Sequence, residues 1–165
     1  MLLKGKALIY GDDINTDVIF PGRYLEIIDA NEMAKHAMED LDPQFLQKAM
    51  GGCIIVAGKN FGCGSSREQA ATCLKYAGTK AIIARSFARI FYRNAINSAL
   101  PVFESEDVKK IREGDEIEVH VEDGVIKNLT KGEEYRVKPL PSFLQKIIMN
   151  GGLIKSLQKE VKNEV

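Results

Sequence analysis

The chain has 165 residues, 45% hydrophobic and 28% charged, enough to bury a compact core and too apolar for a disordered chain. Lysine plus arginine balance aspartate plus glutamate at 23 each, so no bulk charge draws the chain to nucleic acid or anionic membranes, and a neutral surface suits a subunit. No apolar run nears a membrane span, Met1-Leu2-Leu3-Lys4 is charged too soon for a signal peptide, and three cysteines without CxxC spacing fit free thiols in a reducing cytoplasm.

Residues 6–10 read as a strand that stops at Gly11, where a polar loop begins. Asp29 is placed to cap a helix over 30–38, with Met33, Ala34, Ala37 and Met38 at helical spacing. Asp42-Pro43 opens another short helix, because proline suits the first helical position. Residues 53–57 form an apolar run typical of a buried strand, and a glycine-rich loop, 58–66, leads into a helix over 68–76. Residues 81–84 read as a second buried strand. Ser86 then caps a helix through 99, with Phe87, Ile90, Phe91 and Ile96 facing a core. After an extended stretch at 100–103, residues 115–121 alternate as a half-buried strand, and Glu122-Asp123-Gly124 turns a hairpin. Segments 125–129 and 135–137 extend that antiparallel unit, and 141–161 reads as two helical pieces divided by Gly151-Gly152. The order predicts one α/β domain of about three layers over residues 1–165.

The glycine-rich loop carries the chemistry: Gly58-Lys59-Asn60-Phe61-Gly62-Cys63-Gly64-Ser65-Ser66-Arg67 brings two hydroxyls and a guanidinium to a helix N-terminus, where free amides favour an anion. It is not a Walker loop, which needs Gly-Lys-Ser/Thr, nor a dinucleotide fingerprint, whose last glycine would stand at Arg67. It lacks the glycine of a nucleophile elbow as well. Its plainest role is capping: Ser65 with Glu68, or Ser66 with Gln69, fits a capping box, which accounts for one serine and is compatible with chemistry. A Ser-His hydrolase is disfavoured, since His36 reads on a helix and His120 on a hairpin strand. The loop at 11–18 opens like a calcium site, but Val18 replaces the required glycine and Tyr24 the closing glutamate, so calcium is rejected; the loop could still place Asp17 in a cleft. Arg85, Arg89 and Arg93 lie four apart, mostly as a solvated face, while Arg23 sits in a loop that suits binding. Cys63 reads as a small loop residue and Cys73 as core.

Three segments together, Gly11-Asp12-Asp13-Ile14-Asn15-Thr16-Asp17, Asn60 through Glu68, and Ala84 through Ala95, resemble the small subunits of isopropylmalate dehydratase and homoaconitase, relatives of aconitase's swivelling C-terminal domain. The resemblance implies a swivelling β/β/α domain that docks on a separate large subunit. It implies a hydro-lyase that moves a hydroxyl between adjacent carbons of a malate-type diacid. The large subunit would carry a [4Fe-4S] cluster whose free iron polarises the hydroxyl, and this chain would hold no metal. By the same resemblance, Ser65 matches the base for the carbon-bound proton, Ser66 and Arg67 match substrate-carboxylate contacts, and Asp17 matches an active-site aspartate. A serine at its ordinary pKa is a poor base, and a helix N-terminus beside Arg67 supplies the positive field its alkoxide needs.

Substrate choice in this family is attributed to the loop that here reads Arg23-Tyr24-Leu25-Glu26-Ile27-Ile28. Homoaconitase-like members tend to carry arginine where Glu26 stands; Glu26 would repel a third carboxylate, and Ile27 is apolar. These residues favour an alkyl-substituted malate, isopropylmalate first, for leucine biosynthesis. Homoaconitase-type or dimethylmalate-type substrates stand as alternatives, because Glu26 departs from the apolar residue expected in isopropylmalate enzymes. A reading from another class is a stand-alone diacid-binding module that uses the same helix N-terminus.

Overall fold

A computed structural model describes residues 1–164. Strand β1 (Leu2–Ile9) is followed by a four-residue helix α1 (Thr16–Ile19), a 3-10 turn (Gly22–Tyr24), and two short helices, α2 (Ala30–Ala34) and α3 (Phe45–Ala49). Strands then alternate with helices: β2 (Cys53–Ala57), α4 (Glu68–Ala77), β3 (Thr79–Ala84), α5 (Arg89–Asn97) and β4 (Val102–Glu104). A 3-10 segment (Glu106–Lys110) leads to β5 (Glu116–His120), β6 (Val125–Asn128) and β7 (Glu133–Arg136). Helices α6 (Ser142–Met149) and α7 (Leu153–Asn163) close the described chain.

The seven strands pair in the order β4-β3-β2-β1-β5-β6-β7. From β1 to β4 the pairing is parallel, and from β1 through β5, β6 and β7 it is antiparallel, so the two β portions meet on β1. The α/β class expected from the sequence holds, and its two β portions run as one continuous ladder. Every residue of β2 is buried, as a parallel strand covered on both faces requires. In β5 only Ile117 and Val119 are buried, the alternation of a sheet with one wet face. One hydrophobic cluster runs from Phe20, Met38 and Phe45 through β2 and β3 to Phe91, Phe103 and Ile126. Among the described residues no helix is long and apolar enough to cross a membrane.

Several elements depart from their expected bounds for physical reasons. β1 begins at Leu2, because residues 2–6 pair with β5 while residues 6–9 pair with β2. Helix α2 stops at Ala34, short of the expected end at 38. The Met38 amide turns away to donate to Ile19 O at 2.8 Å, and Met38 takes a φ of 59°. Pro43 lies before α3 and does not open it. Asp42 instead accepts hydrogen bonds from the Tyr10 hydroxyl (2.7 Å) and the Gln44 amide (3.2 Å) and pairs with Lys48. Ser86 does not cap α5, which starts at Arg89. Its hydroxyl accepts from the Asn60 amide at 2.8 Å and ties two loops together. On α5 Phe91 and Ile96 are buried as expected, whereas Ile90 is 48% exposed, because Phe91 and Ala95 take the inward face.

Candidate active site

β1, β2 and β3 run parallel, so the loops that follow them leave the sheet on the same side. Parallel sheets form ligand crevices at such carboxyl ends. The glycine-rich loop lies between its two neighbours and hydrogen-bonds to both. Towards the first loop, Gly58 N donates to Gly11 O (3.0 Å), Asp13 N to Lys59 O (2.8 Å), Gly62 N to Ile14 O (2.7 Å) and Thr16 N to Cys63 O (2.8 Å). Towards the third, Arg85 N donates to Gly58 O, Phe61 N to Ser86 O and Ala88 N to Phe61 O, each at 3.0 Å. Asp13 and Asn60 sit in the left-handed region, with φ of 53° and 60°, which Asp and Asn tolerate better than most residues. The Asn60 amide group donates to Asp13 Oδ1 at 3.2 Å.

Under the loop lies an aromatic cluster. The Phe61 ring meets Phe91 edge-on at 5.2 Å and Phe87 at 6.1 Å. Gly62 has a φ of 82°, and a Cβ there would enter the Phe91 ring, so only glycine lets the loop cross α5 at this height.

This frame brings Asp17, Ser65, Ser66 and Arg67 to one place. Asn15 caps α1 by accepting from Val18 N at 3.0 Å, which sets Asp17 in the first turn. Arg67 Nη2 pairs with Asp17 Oδ1 at 2.5 Å, and Arg67 Nη1 donates to Phe20 O at 3.0 Å. The guanidinium is thus fixed and mostly covered, at 17% exposure, while Asp17 is 64% exposed. Both serines are exposed.

The expected capping box does not form. Arg67 takes the N-cap position of α4, and no side chain caps it, so the serines stay free of that duty; the Ala70 amide bonds the Arg67 carbonyl at 3.2 Å, and the Glu68 and Gln69 amides remain available donors. Ser65 is held through its own carbonyl, which accepts from Arg67 N at 2.8 Å and from the buried Thr16 hydroxyl, also at 2.8 Å.

The other expected site residues lie on the loop that begins at Gly22, where an added Cβ would stand 3.4 Å from Arg67 Nη2. Arg23 ion-pairs with Glu39 (2.7 Å) and Asp40 (2.6 Å), and its guanidinium lies 4.7 Å above the Tyr24 ring. Hydrogen bonds to Asp40 raise the Arg23 pKa, and the same contacts hold Asp40 below the ordinary carboxylate range. Burial pushes the Glu39 carboxyl up, but hydrogen bonds from Tyr24, His36 and Arg23 outweigh it and leave the pKa lowered. Tyr24 stacks on His36 at 3.7 Å, so Arg23, Tyr24 and His36 form a layered anchor for the loop. In that loop Glu26 is exposed, Ile27 packs in part against the core and Ile28 is 92% exposed.

Neither histidine serves the serines: His36 Nδ1 faces Glu39 Oε2 at 2.9 Å and His120 Nε2 faces Glu118 Oε1 at 2.7 Å. Arg85 precedes α5 and pairs with Glu106 at 2.9 Å, which leaves Arg89 and Arg93 as the exposed arginines of that helix. Thr16 and the Phe20 carbonyl are site components that pattern reading did not single out. The Asn-Thr-Asp run, a helix cap followed by an acidic first turn, was the available signal.

Two of the chain's three thiols are closed off from solvent. Cys53 and Cys73 are fully buried, and burial raises both pKa values, Cys53 to about 11. Among the described residues no three His, Cys, Asp or Glu side chains converge as ligands.

Comparisons with known proteins point to one family. Residues 9–106 match the family model described as the aconitase C-terminal domain. The chain is 56% identical over 165 residues to the 3-isopropylmalate dehydratase small subunit of Caldicellulosiruptor bescii, with 99% of each covered. It is 55% identical over 150 residues to 3-isopropylmalate dehydratase small subunit 1 of Archaeoglobus fulgidus, covering 91% of this chain and 93% of that one. It also superimposes on the crystal structure of a 3-isopropylmalate dehydratase from Methanocaldococcus jannaschii, with a TM-score of 0.94 and 43% identity over 99% and 98% of the two chains.

Proposed function

The chain belongs to the aconitase C-terminal domain family, and on that premise we propose that it is the small subunit of a heteromeric hydro-lyase that interconverts 2-isopropylmalate and 3-isopropylmalate through the dehydrated diacid, in leucine biosynthesis. Residues 1–165 act as one swivelling domain, and the complex works in the cytoplasm. The observation that carries the reading is the open group of Ser65, Ser66, Arg67 and Asp17 at the strand ends. Exposed catalytic side chains need a second surface to exclude water, and the large subunit supplies it. A [4Fe-4S] cluster is expected on that partner; of this chain's three thiols, Cys53 and Cys73 are buried and Cys63 is half-buried.

Within this chain, Ser65 Oγ accepts the proton from the substrate carbon and returns it on rehydration. It does so as the alkoxide, whose negative charge, present before the proton arrives and lost on accepting it, is stabilised by the neighbouring Arg67 guanidinium and the amides at the start of α4. Arg67 and Ser66 hold a substrate carboxylate; guanidinium geometry allows a two-pronged grip that an ammonium cannot match. Asp17 completes the catalytic pair with Ser65 by orienting Arg67, which the Phe20 carbonyl steadies from the other side. Glu26 and Ile27 face the substituent of the malate, the carboxylate repelling a third acid group and the isoleucine favouring an alkyl chain. Arg23 supports the substrate subsite by anchoring this loop on Glu39 and Asp40.

Reconstitution tests the reading. The chain alone is expected to show no turnover. Mixed with a cluster-loaded 3-isopropylmalate dehydratase large subunit, it is expected to produce the alkene absorbance of the dehydrated diacid from 3-isopropylmalate and not from homocitrate. Turnover by the chain alone, or a preference for homocitrate, would contradict it.

A further inference from the structure

The geometry points to Thr16 as a positioning residue for Ser65, an inference that rests on the reading of Ser65 as the proton acceptor. Thr16 is 2% exposed, and its hydroxyl donates to the Ser65 carbonyl at 2.8 Å. Its amide donates to the Cys63 carbonyl, also at 2.8 Å. One residue therefore grips the loop on both sides of Gly64. Gly64 itself has a φ of 95°, and a Cβ there would lie 3.4 Å from Thr16 Oγ1. The turn bearing Ser65 thus rests directly on this side chain.

The Ser65 carbonyl also accepts from the Arg67 amide, so the Thr16 hydroxyl and that amide converge on one oxygen. Together they fix the direction of the Ser65 Cα–Cβ bond, and with it the reach of Oγ. The Arg67 side chain is held separately, by Phe20 O and Asp17. Loss of the Thr16 hydroxyl is therefore expected to disturb proton transfer without disturbing the carboxylate grip. Small misplacements of a reacting group cost rate steeply, up to about a hundredfold for an ångström.

Thr16→Val keeps the shape of the side chain and removes the donor. In the complex with the large subunit, with 3-isopropylmalate as substrate, kcat is expected to fall about tenfold or more while KM stays within about threefold. Thr16→Ser, which restores the hydroxyl, is expected to return most of the lost kcat. The inference is overturned if Thr16→Val turns over within about twofold of the parent, if Thr16→Ser is as slow as Thr16→Val, which assigns Thr16 a packing role, or if Thr16→Val fails to assemble while Thr16→Ser is normal, which makes its hydroxyl a fold-holding hydrogen bond rather than a positioning one. Ser65→Ala measured alongside separates the two readings. Retained turnover in Ser65→Ala removes the proton-acceptor role itself, whereas an inactive Ser65→Ala beside a normal Thr16→Val removes only the role of Thr16.

Discussion

Replacing Gly62 with alanine perturbs the loop at its tightest crossing. The new Cβ would stand 2.7 Å from Phe91 Cδ2 and closer still to Phe91 Cβ and Cγ, at a backbone φ of 82°. Holding an L-residue in that conformation costs about 1–2 kcal/mol. The ring must also move: Phe91 is 2% exposed and packs on Phe61 and Phe87, and overpacking of this kind costs about 1–3 kcal/mol more. The sum, about 2–5 kcal/mol, is a large part of a domain's usual ~5–15 kcal/mol of stability. For a chain of this size it corresponds to a fall in Tm of about 4–20 °C. Gly64→Ala is the control: its φ is 95°, but its nearest neighbour lies 3.4 Å away, so only the conformational cost of about 1–2 kcal/mol applies. Urea unfolding of both variants and the parent, followed by far-UV circular dichroism, measures the difference. A Gly62→Ala chain within about 1 kcal/mol of the parent, or no less stable than Gly64→Ala, would refute the claim that loop and helix are in contact at this point.

Arg67→Lys keeps the charge and loses the fork, so KM for 3-isopropylmalate in the complex is expected to rise about tenfold or more, read by steady-state kinetics; an unchanged KM removes the carboxylate grip. Acid is expected to destabilise the fold. The buried Asp115 carboxyl is raised by burial but lowered more by hydrogen bonds from the Arg112 amide and Asn128, for a net pKa below the ordinary value, and Asp42 is likewise lowered. A carboxyl depressed in the folded state stabilises it above the unfolded pKa and loses that contribution as pH falls towards the folded one, so urea midpoints are expected to drop between about pH 5 and pH 3. Asp115→Asn can keep a carbonyl oxygen where Oδ2 accepts both hydrogen bonds but removes the charge that strengthens them, and is expected to cost about 1–3 kcal/mol at neutral pH and to flatten that acid dependence.

How far the fold was legible depended on how local its causes were. The buried strand at 53–57 falls where its apolar run lies, because a strand covered on both faces writes itself as a continuous apolar segment. The β5–β6 hairpin was legible from alternation and Gly124, for the same local reason. Helix α2 was overrun, since nothing near Met38 announces that its amide will bond to Ile19 across the core. Ser86 and the two loop serines read as caps. The structure uses Ser86 to bind the neighbouring loop and leaves Ser65 and Ser66 uncommitted as caps, a choice made by tertiary packing. The site was legible as motifs but not as contacts. Arg67 meets Asp17 and Phe20, and Arg23 meets Glu39 and Asp40, only because separate loops converge at the strand ends. Arg23 was expected among the substrate-binding residues; in the structure its guanidinium pairs with Glu39 and Asp40 and so fixes the start of the 23–28 loop.

The central claim is that Ser65 takes the substrate proton at a site completed by another chain. The most direct test is kcat of Ser65→Ala and Ser66→Ala in the assembled complex with 3-isopropylmalate. Ser65→Ala is expected to lower kcat by about a thousandfold or more with KM little changed, and Ser66→Ala to act mainly on KM. Turnover of Ser65→Ala within about tenfold of the parent would contradict the account.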